Sequence, residues 1–504
     1  MANESQFHSR LDEGPADEYV ENLRKPEFEL LKEHFFDPLF TLNRAHVIML
    51  EENDLLDSET AAEIMDVFDR IEAEGVDDSI SGADHSDIHF YVEEYLIEEL
   101  GGEKGGILQT GRSRTDVYDA AGRIVLRERL LSMIDNLVTL RAAVLNLAAE
   151  STETVMTGYT HSQPAQPITL SHYLLSFDNV LGRDFERLKR AYDLTNDCPL
   201  GSAVMGGTGF DIDRDRLAEL SGYEGLCFNT YDATASMDFV PESASAAAIL
   251  MTNISRVSRD LIEWGTTEFD VIEISDGFAS VSSMMPQKKN PYTLEKLRTE
   301  ASDTIGAANS SLVHLKAAPY GDVSEVAKYA PVPLVQESDE IERMLRLLAG
   351  VIDTLEVDEE ALRQSAAENF CTMTEVADTL VRAEDLSFRQ AHEIVGTMVR
   401  GALEADRTAD ELTLANLNQA ARSVVGAETS LTADEFQQAI DPMVNVERRD
   451  IPGGTAPSRN EEELEARREH LEAHEAWVSG AYETLDDAEA MRRDRADELI
   501  EEYL

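Results

Sequence analysis

Long helical periodicity is the feature that most constrains the fold of this chain. From Ala120 to Glu150, apolar residues recur mostly at three- and four-residue spacing, as they do on one face of an α-helix. The same pattern returns in four later stretches: 169–195, 241–270, 291–316 and 334–356. Each stretch is longer than the usual helix of about 11–12 residues, and runs of alternating β-branched residues are nearly absent. We therefore predict an all-α fold, in which long helices form a bundle that neighbouring subunits extend.

Shifts in composition near residues 110 and 365 divide the chain into three parts. We predict an N-terminal helical domain (1–110), a central long-helix domain that carries the active-site loops (111–365) and a C-terminal helical domain (366–504). Residues 459–504 are strongly charged and are expected to form a solvated helix. In a bundle, chemistry comes from the connections between helices, and these are polar and rich in glycine or proline: 101–111, 157–167, 199–209, 275–291 and 317–333.

The net charge is strongly negative, with 100 acidic residues against 43 lysines and arginines, giving −57. A field of this sign disfavours nucleic acid as a partner, so we predict none. The acidic residues are spread among regular apolar positions instead of being gathered in a tail. This pattern suits a folded protein that stays soluble where salt screens charge, over about 3 Å at 1 M. We interpret the source as halophilic.

Segments that would direct the chain to a membrane or out of the cell are missing from the sequence pattern. No apolar run approaches the roughly 20 residues that span a bilayer, and residues 1–10 lack the features of a signal peptide. Three scattered cysteines (Cys198, Cys227 and Cys371) have no metal-type spacing and fit a reducing cytosol. We expect a soluble, cytoplasmic protein with no membrane partner.

The connection over 275–291 carries the most specific motif. It contains the string Ser282-Ser283-Met284-Met285-Pro286-Gln287-Lys288-Lys289-Asn290-Pro291. Interpreted as an ordinary loop, the string would only cap a helix and expose its lysines. It is, however, similar to the G-S-S-x-x-P-x-K-x-N signature of the fumarase/aspartase superfamily. Its M-P-Q-K-K-N-P form resembles that of argininosuccinate lyase and its relatives.

Other segments resemble elements of the same family. Thr110–Asp116 resembles T-G-R-S-R-N-D, Gly158–Pro167 resembles G-Y-T-H-x-Q-x-A-Q-P, and two further segments resemble P-L-G-S-G and G-G-T/P-A-P: Pro199–Gly209 and Gly453–Pro457. Together the matches run from about residue 35 to 460, which is nearly the whole chain. Asp87 and His89 match a D-x-H element. The four-residue spacing of His85 and His89 is therefore interpreted as structural or substrate-proximal instead of as a metal site.

The resemblance implies a carbon–nitrogen lyase that eliminates fumarate from an N-substituted aspartate. The catalytic residues would be Ser282 as base, Lys288 and backbone donors to stabilise its alkoxide, and His161, charged through Glu295, to assist protonation of the leaving nitrogen. Substrate contacts would come from Ser113, Arg114, Thr115, Thr160, Ser283, Met285, Asn290, Tyr320 and Lys328. The family needs no metal or organic cofactor and builds each active site from three subunits of a homotetramer. The expected partners are thus a small-molecule substrate and further copies of the chain.

At five positions the chain departs from the family pattern, so the identity of the released amine is not determined: Val281 for glycine, Thr115 for asparagine, Glu325 for glutamine, Asn43 for serine and Met237 for arginine. The first hypothesis is cleavage of argininosuccinate to arginine and fumarate, the last step of arginine biosynthesis. The second is a paralogue acting on another N-substituted aspartate, such as ethylenediamine disuccinate. A third, a non-catalytic crystallin-like protein, is disfavoured because the predicted catalytic residues are retained. Adenylosuccinate lyase is disfavoured because its signature has a different spacer.

Overall fold

The computed structural model describes residues 14–323 and 329–504, and these are mainly helical, which confirms the all-α prediction. The main helices are α1 (Lys25–Glu52), α2 (Ser58–Glu74), α3 (Ile88–Leu100), α4 (Arg114–Glu150), α5 (Leu170–Thr195), α6 (Arg214–Leu220), α7 (Thr230–Ala235), α8 (Phe239–Trp264), α9 (Tyr292–Ala317), α10 (Val332–Asp353), α11 (Glu359–Glu368), α12 (Met373–Ala383), α13 (Phe388–Glu404), α14 (Leu414–Val425), α15 (Ala433–Ile440), α16 (Pro442–Glu447) and α17 (Pro457–Tyr503).

Short strands pair in two-stranded sheets, β1 with β2, β3 with β4, β5 with β8 and β6 with β7. Their bounds are β1 (Val155–Thr160), β2 (Gln163–Thr169), β3 (Asp197–Cys198), β4 (Gly225–Leu226), β5 (Ile272–Glu273), β6 (Ser280–Val281), β7 (Lys289–Asn290) and β8 (Glu356–Val357). Segment 157–167, expected to be a polar connection, is thus mostly a β-hairpin. Its two prolines made it resemble a loop, but proline is tolerated on edge strands such as these.

The central bundle forms where the periodicity predicts long helices. Helix α4 packs against α5 and α10, and α8 packs against α5 and α9. Their shared core contains fully buried leucines from each of these helices: Leu137, Leu181, Leu250, Leu297 and Leu345. Helix α4 is long and apolar enough by composition to cross a membrane, but 67% of its apolar window is buried inside the fold. Its apolar residues therefore serve the core of the bundle.

A buried ion pair ties this bundle to the C-terminal helix. Arg141 on α4 donates from Nε and Nη2 to the two carboxylate oxygens of Asp178 on α5, at 2.7 and 3.1 Å. Both side chains are fully buried. The remaining nitrogen of the guanidinium, Nη1, lies 2.6 Å from Nδ1 of His474 on α17. Burial and the nearby Arg141 charge lower the pKa of His474 to about 4, so its ring is neutral and accepts this bond.

Helix α17 is helical as expected but is not simply solvated. Residues at seven-residue intervals along it lie against the molecule: Leu464, Leu471, Val478, Leu485, Arg492 and Leu499. With Asn460, Ala488 and Ala496, which are also buried, they form a narrow stripe, which the many charges conceal in the sequence. The stripe packs on the central and N-terminal cores, whereas α12–α15 form a separate C-terminal core. The three-domain division stays a proposal, with α17 better assigned to its first two parts.

Candidate active site

The signature string forms the turn between β6 and β7. The Ser282 amide donates to the Lys288 carbonyl at 3.3 Å, which closes the turn. Within it, Ser282 Oγ accepts the amide N–H groups of Met284 and Met285, at 3.2 and 2.9 Å. Hydrogen bonds of this kind stabilise negative charge on the oxygen that accepts them. The turn therefore supplies the backbone donors that a Ser282 alkoxide requires.

The two lysines of the string have different surroundings. Lys289 Nζ lies 2.7 Å from Asp276 and 2.8 Å from Glu273, and the hydrogen bonds to these two carboxylates raise the pKa of Lys289. Lys288 is exposed, and its side chain makes no hydrogen bond or ion pair to the described residues. Lys289 thus anchors the turn to the protein, while the Lys288 ammonium group is available for a ligand.

The outer part of the same turn is open to solvent. Ser283 and Met285 are exposed, and the apolar side chains of Val281 and Met284 are 86% and 88% exposed. Asn290 is half-buried, with Nδ2 at 3.5 Å from Ser280 Oγ. Apolar surface so exposed on a turn is suited to covering a ligand or contacting a neighbouring subunit.

His161 lies at the tip of the β1–β2 hairpin. His161 and Ser162 form its two-residue turn, with φ values of 53° and 58°. Two positive φ values are normally supplied by Asn-Gly or Gly-Gly, so a histidine here is held in an unfavourable conformation, as often found at functional sites. Thr160 and His161 are both exposed. Among the described contacts of one chain, none joins His161 to Glu295, which is exposed on the first turn of α9.

A cavity of about 1090 Å³ opens beside this hairpin. Aromatic side chains from the hairpin, α5, α8 and the segment after α8 line it together with Thr160: Tyr159, Tyr173, Trp264 and Phe269. Tyr173 donates to Asp260 at 2.6 Å, which fixes one wall. Thr160 therefore borders this half-open cavity, whereas His161 is not among the residues that line it.

A second group of predicted residues lies at the start of α4. Ser113 is the N-cap, with Oγ accepting the Thr115 amide at 3.3 Å, and Asp116 completes a capping box. Arg114 donates to Asp87 at 2.8 Å, and its guanidinium lies 5.1 Å from the centroid of the Phe90 ring. Asp87 of the D-x-H element therefore orients Arg114, the arginine predicted to bind a substrate carboxylate.

Tyr320 approaches the same place from the end of α9. Thr115 Oγ1 donates to Asp322 at 2.9 Å, which joins the segment after α9 to the first turn of α4. The Tyr320 hydroxyl donates to Asp232 at 3.0 Å, and its ring stacks on Tyr231 with centroids 6.1 Å apart. The predicted binding residue Lys328, and the departure Glu325, lie outside the described residues.

Asp116 has a role that the sequence did not reveal. Its carboxylate accepts hydrogen bonds from Ser202 Oγ and from the amides of Ala203 and Val204, at 2.7–2.9 Å. Ala203 and Val204 have φ values of 46° and 77°, a rare region for residues with a side chain. The sequence showed only an aspartate that follows the Gly111–Thr115 string. Asp116 thus holds a strained loop against the helix that carries Ser113 and Arg114.

The D-x-H element has no metal-site geometry. His89 is buried, and burial lowers its pKa to about 3, so the ring is neutral. Its Nε2 is bonded to the Gln109 side chain, while His85 pairs with Glu94. Over the described ranges, no group of three or more His, Cys, Asp or Glu side chains is placed to hold a metal ion.

The predicted site residues fall at two ends of the bundle. Thr115, Arg114 and Tyr320 lie at the Arg114 end of α4, next to the last turn of α9. The turn that carries Ser282 comes just before the first turn of α9. Helix α9 has 26 residues, and at 1.5 Å per residue it separates the two groups by about 39 Å. One chain does not bring its predicted carboxylate-binding residues to its predicted base.

The hairpin with His161 lies at the same end as Ser282. Thr154, just before β1, donates to Glu359 at 3.3 Å, and Glu359 follows β8, which pairs with β5. Lys289 in turn binds Glu273 of β5 at 2.8 Å. These contacts place Thr160, His161, Ser282, Lys288 and Glu295 at the Glu150 end of α4.

Comparison with known proteins supports a single family over nearly the whole chain. A family model described as "Lyase" matches residues 28–306, and one described as "Argininosuccinate lyase C-terminal" matches 370–447. An argininosuccinate lyase of Methanococcoides burtonii is 39% identical, covering 85% of this chain and 86% of the relative. One of Natronomonas pharaonis is 37% identical, covering 96% and 92%.

Solved structures agree with this assignment. The crystal structure of EDDS lyase in complex with formate superposes with a TM-score of 0.88 at 32% identity, covering 97% of this chain and 99% of that one. A class II fumarase from Schistosoma mansoni, at 15% identity and a TM-score of 0.68, shares the fold. The chain is therefore a carbon–nitrogen lyase that belongs to the argininosuccinate lyase family of the fumarase/aspartase superfamily.

Proposed function

We propose that this chain cleaves argininosuccinate to arginine and fumarate, as the final step of arginine biosynthesis. The observation that carries the proposal is the Ser282 turn, in which two backbone amides donate to the predicted base. The same turn carries Lys288, whose exposed side chain pairs with no described residue. Relatives named argininosuccinate lyase, at 34–39% identity, support the choice of substrate.

The proposed reaction begins with proton removal from the carbon next to a carboxylate. The Ser282 alkoxide takes this proton, and the electron pair of the C–H bond is delocalised into the adjacent carboxylate. Lys288 and Asn290 hold the carboxylate that accepts the charge as an aci-carboxylate, because donors aimed at developing charge lower the barrier. The electrons then form the C=C bond of fumarate as the C–N bond breaks.

The remaining residues bind the substrate and serve the leaving group. Ser113, Arg114, Tyr320 and Lys328 would fix the second carboxylate, and Thr160, Ser283 and Met285 would seat the substrate. His161, charged through Glu295, would assist protonation of the departing nitrogen. The reaction as proposed uses these side chains alone, with no metal or organic cofactor.

A homotetramer with composite active sites would bring these groups together. The proposed base and the proposed carboxylate-binding residues of one chain are about 39 Å apart along α9. A neighbouring copy can place its Arg114 end against the Ser282 turn, and a third copy can supply His161. The His161–Glu295 pair would then form across subunits. We propose this assembly and a cytoplasmic location for it.

The alternative substrate is another N-substituted aspartate, and specific observations bear on it. The structural neighbour named EDDS lyase supports such a paralogue. Among the departures, Met237 is 4% exposed within the central core, so it is not placed to contact a ligand. Asn43 is buried against Arg112, whereas Thr115 binds Asp322 beside Tyr320. Of the departures that the structure describes, Thr115, beside the proposed carboxylate-binding residues, and Val281, exposed next to Ser282, are therefore placed to alter which substrate is accepted.

Fumarate release from a substrate panel tests the proposal. Purified protein in concentrated KCl is given argininosuccinate or ethylenediamine disuccinate, and fumarate is followed by its absorbance. We expect turnover of argininosuccinate and a loss of at least about 10²-fold in kcat for Ser282→Ala. Ser302→Ala, on the exposed face of α9, is the matched control and should retain activity. Turnover of the disuccinate alone would reject argininosuccinate, and an unaffected Ser282→Ala would reject the base.

A further inference from the structure

Three buried side chains form a cluster beneath the Thr110–Arg114 segment. Asn43 on α1 is fully buried, His89 on α3 is 2% exposed, and Arg112 is 9% exposed. Arg112 Nη2 donates to Asn43 Oδ1 at 2.8 Å. The Arg112 charge also acts on His89, helping to lower the pKa of that ring. The cluster thus joins two N-terminal helices to the segment that precedes α4.

The atoms of this cluster that lack a hydrogen-bond partner among the described residues are all donors. The Gln109 amide nitrogen can only donate, so His89 Nε2 accepts from it and the ring proton lies on Nδ1. Within the described residues, four buried atoms of the cluster have no hydrogen-bond partner: Arg112 Nε, Arg112 Nη1, Asn43 Nδ2 and His89 Nδ1. All four are donors in this arrangement. No acceptor on a described residue meets them.

The charge of Arg112 is also uncompensated at close range. Over residues 14–323 and 329–504, no carboxylate forms an ion pair with it, and burial lowers the pKa of Arg112 to about 10. Glu93 and Asp116 act on it only at longer range, and the Glu93 carboxylate accepts from Gln109 at 3.3 Å. A buried guanidinium normally has a partner, because an unpaired buried charge is strongly unfavourable.

A buried water would satisfy the cluster poorly. Water donates two hydrogen bonds as well as accepting, and these atoms offer no acceptor for its own hydrogens. An anion accepts from every side and also neutralises the guanidinium. Because all four atoms are buried, a substrate carboxylate on a long chain does not reach them. We infer that the cluster of Arg112, Asn43 and His89 binds a monovalent inorganic anion of chloride size.

Such an anion would act on the neighbouring binding segment. His46 Nε2 lies 3.0 Å from the Thr110 carbonyl, and two residues after Arg112 the chain reaches Arg114, which Asp87 orients. A ligand on Arg112 would hold this segment in place before substrate arrives. Arg112 is then a positioning residue, and this holds whichever amine the substrate carries.

Bromide, an anomalous scatterer of similar size, locates the anion directly. Crystals grown in potassium gluconate and soaked in potassium bromide are measured at the bromine absorption edge, with and without saturating fumarate. We expect an anomalous peak within ion-contact distance of Arg112 Nε or Nη1 in both data sets. A peak lost on adding fumarate would show a substrate subsite instead and overturn the inference. Absence of a peak at Arg112, with bromide seen elsewhere, would equally overturn it.

A solution test separates this site from general salt effects. At constant potassium, gluconate is replaced stepwise by chloride and Tm is recorded for wild type, for Asn43→Leu and for the exposed control Asn22→Leu. We expect a saturable rise in Tm for wild type and Asn22→Leu, and only a non-saturating salt effect for Asn43→Leu. If Asn43→Leu does not fold, the wild-type bromide maps decide alone. Equal saturable curves for all three proteins, or a bromide peak without saturable stabilisation, would overturn the inference.

Discussion

Replacing Asp178 by asparagine should destabilise the protein by about 3–5 kcal/mol, because it leaves a buried guanidinium without its counter-ion. Arg141 and Asp178 are both fully buried and share two hydrogen bonds, at 2.7 and 3.1 Å. Asparagine can accept one of these bonds but carries no charge. His474, the other partner of Arg141, is neutral, since its pKa is about 4. Urea unfolding at a fixed, high KCl concentration measures the change in free energy.

Two comparisons make this prediction specific. Asp193→Asn, on the same helix, removes a pair with Lys189 whose side chains are 50% and 30% exposed, and it should cost less than about 1 kcal/mol. The double variant Arg141→Met with Asp178→Leu should recover most of the loss, because apolar residues replace both charges. A cost for Asp178→Asn as small as that of Asp193→Asn would refute the argument, as would a double variant no more stable than the single one.

Three other changes have expected outcomes. Ala203→Gly should raise the unfolding free energy by about 0.5–1 kcal/mol in urea, since relief of about 1–2 kcal/mol at its positive φ exceeds the added entropy of the unfolded chain; a loss of stability would show that the loop is unstrained. The pKa of His474 in the folded protein is lowered from 6.5 to about 4, so its contribution to folding stability is full above pH 6.5 and is lost as the pH falls towards 4. His474→Gln should therefore flatten the dependence of Tm on pH between these values. An unchanged profile would contradict this assignment. With a net charge of −57, Tm and activity should rise with KCl, and full activity and stability in dilute buffer would sink the halophilic interpretation.

The long helices of the bundle could be predicted from the sequence, because they depend on the periodicity of apolar residues. The apolar stretches 169–195 and 291–316 correspond to α5 (Leu170–Thr195) and α9 (Tyr292–Ala317), because a helix that buries one face must repeat apolar residues at its own period. The Ser282 string and the Thr110–Asp116 segment were identified by their similarity to family motifs, which does not predict where their side chains lie. Their roles as base and carboxylate-binding group stay predictions.

Features that depend on the positions of atoms distant in sequence were not predictable. Which lysine is available for a ligand depends on Glu273 and Asp276, which form ion pairs with Lys289, whereas no residue that the structure describes pairs with Lys288. Only a minority of the residues of α17 are buried, so its charged residues dominate the sequence pattern. The hydrogen bonds by which Asp116 holds the 199–209 loop were not predictable, because its partners lie more than 80 residues away in the chain.

The central claim is that active sites form between subunits, and mixing two inactive variants tests it most directly. Arg114→Ala and Ser282→Ala are unfolded together in equal amounts, refolded in KCl and assayed for fumarate release. If Arg114 and Ser282 of one site come from different chains, random assembly leaves about a quarter of the sites intact, so about a quarter of wild-type activity should return. Ser282→Ala mixed with Lys288→Ala is the control, because both residues lie in one turn and every site keeps a defect. Activity of the first mixture no higher than that of its separate components would contradict the account.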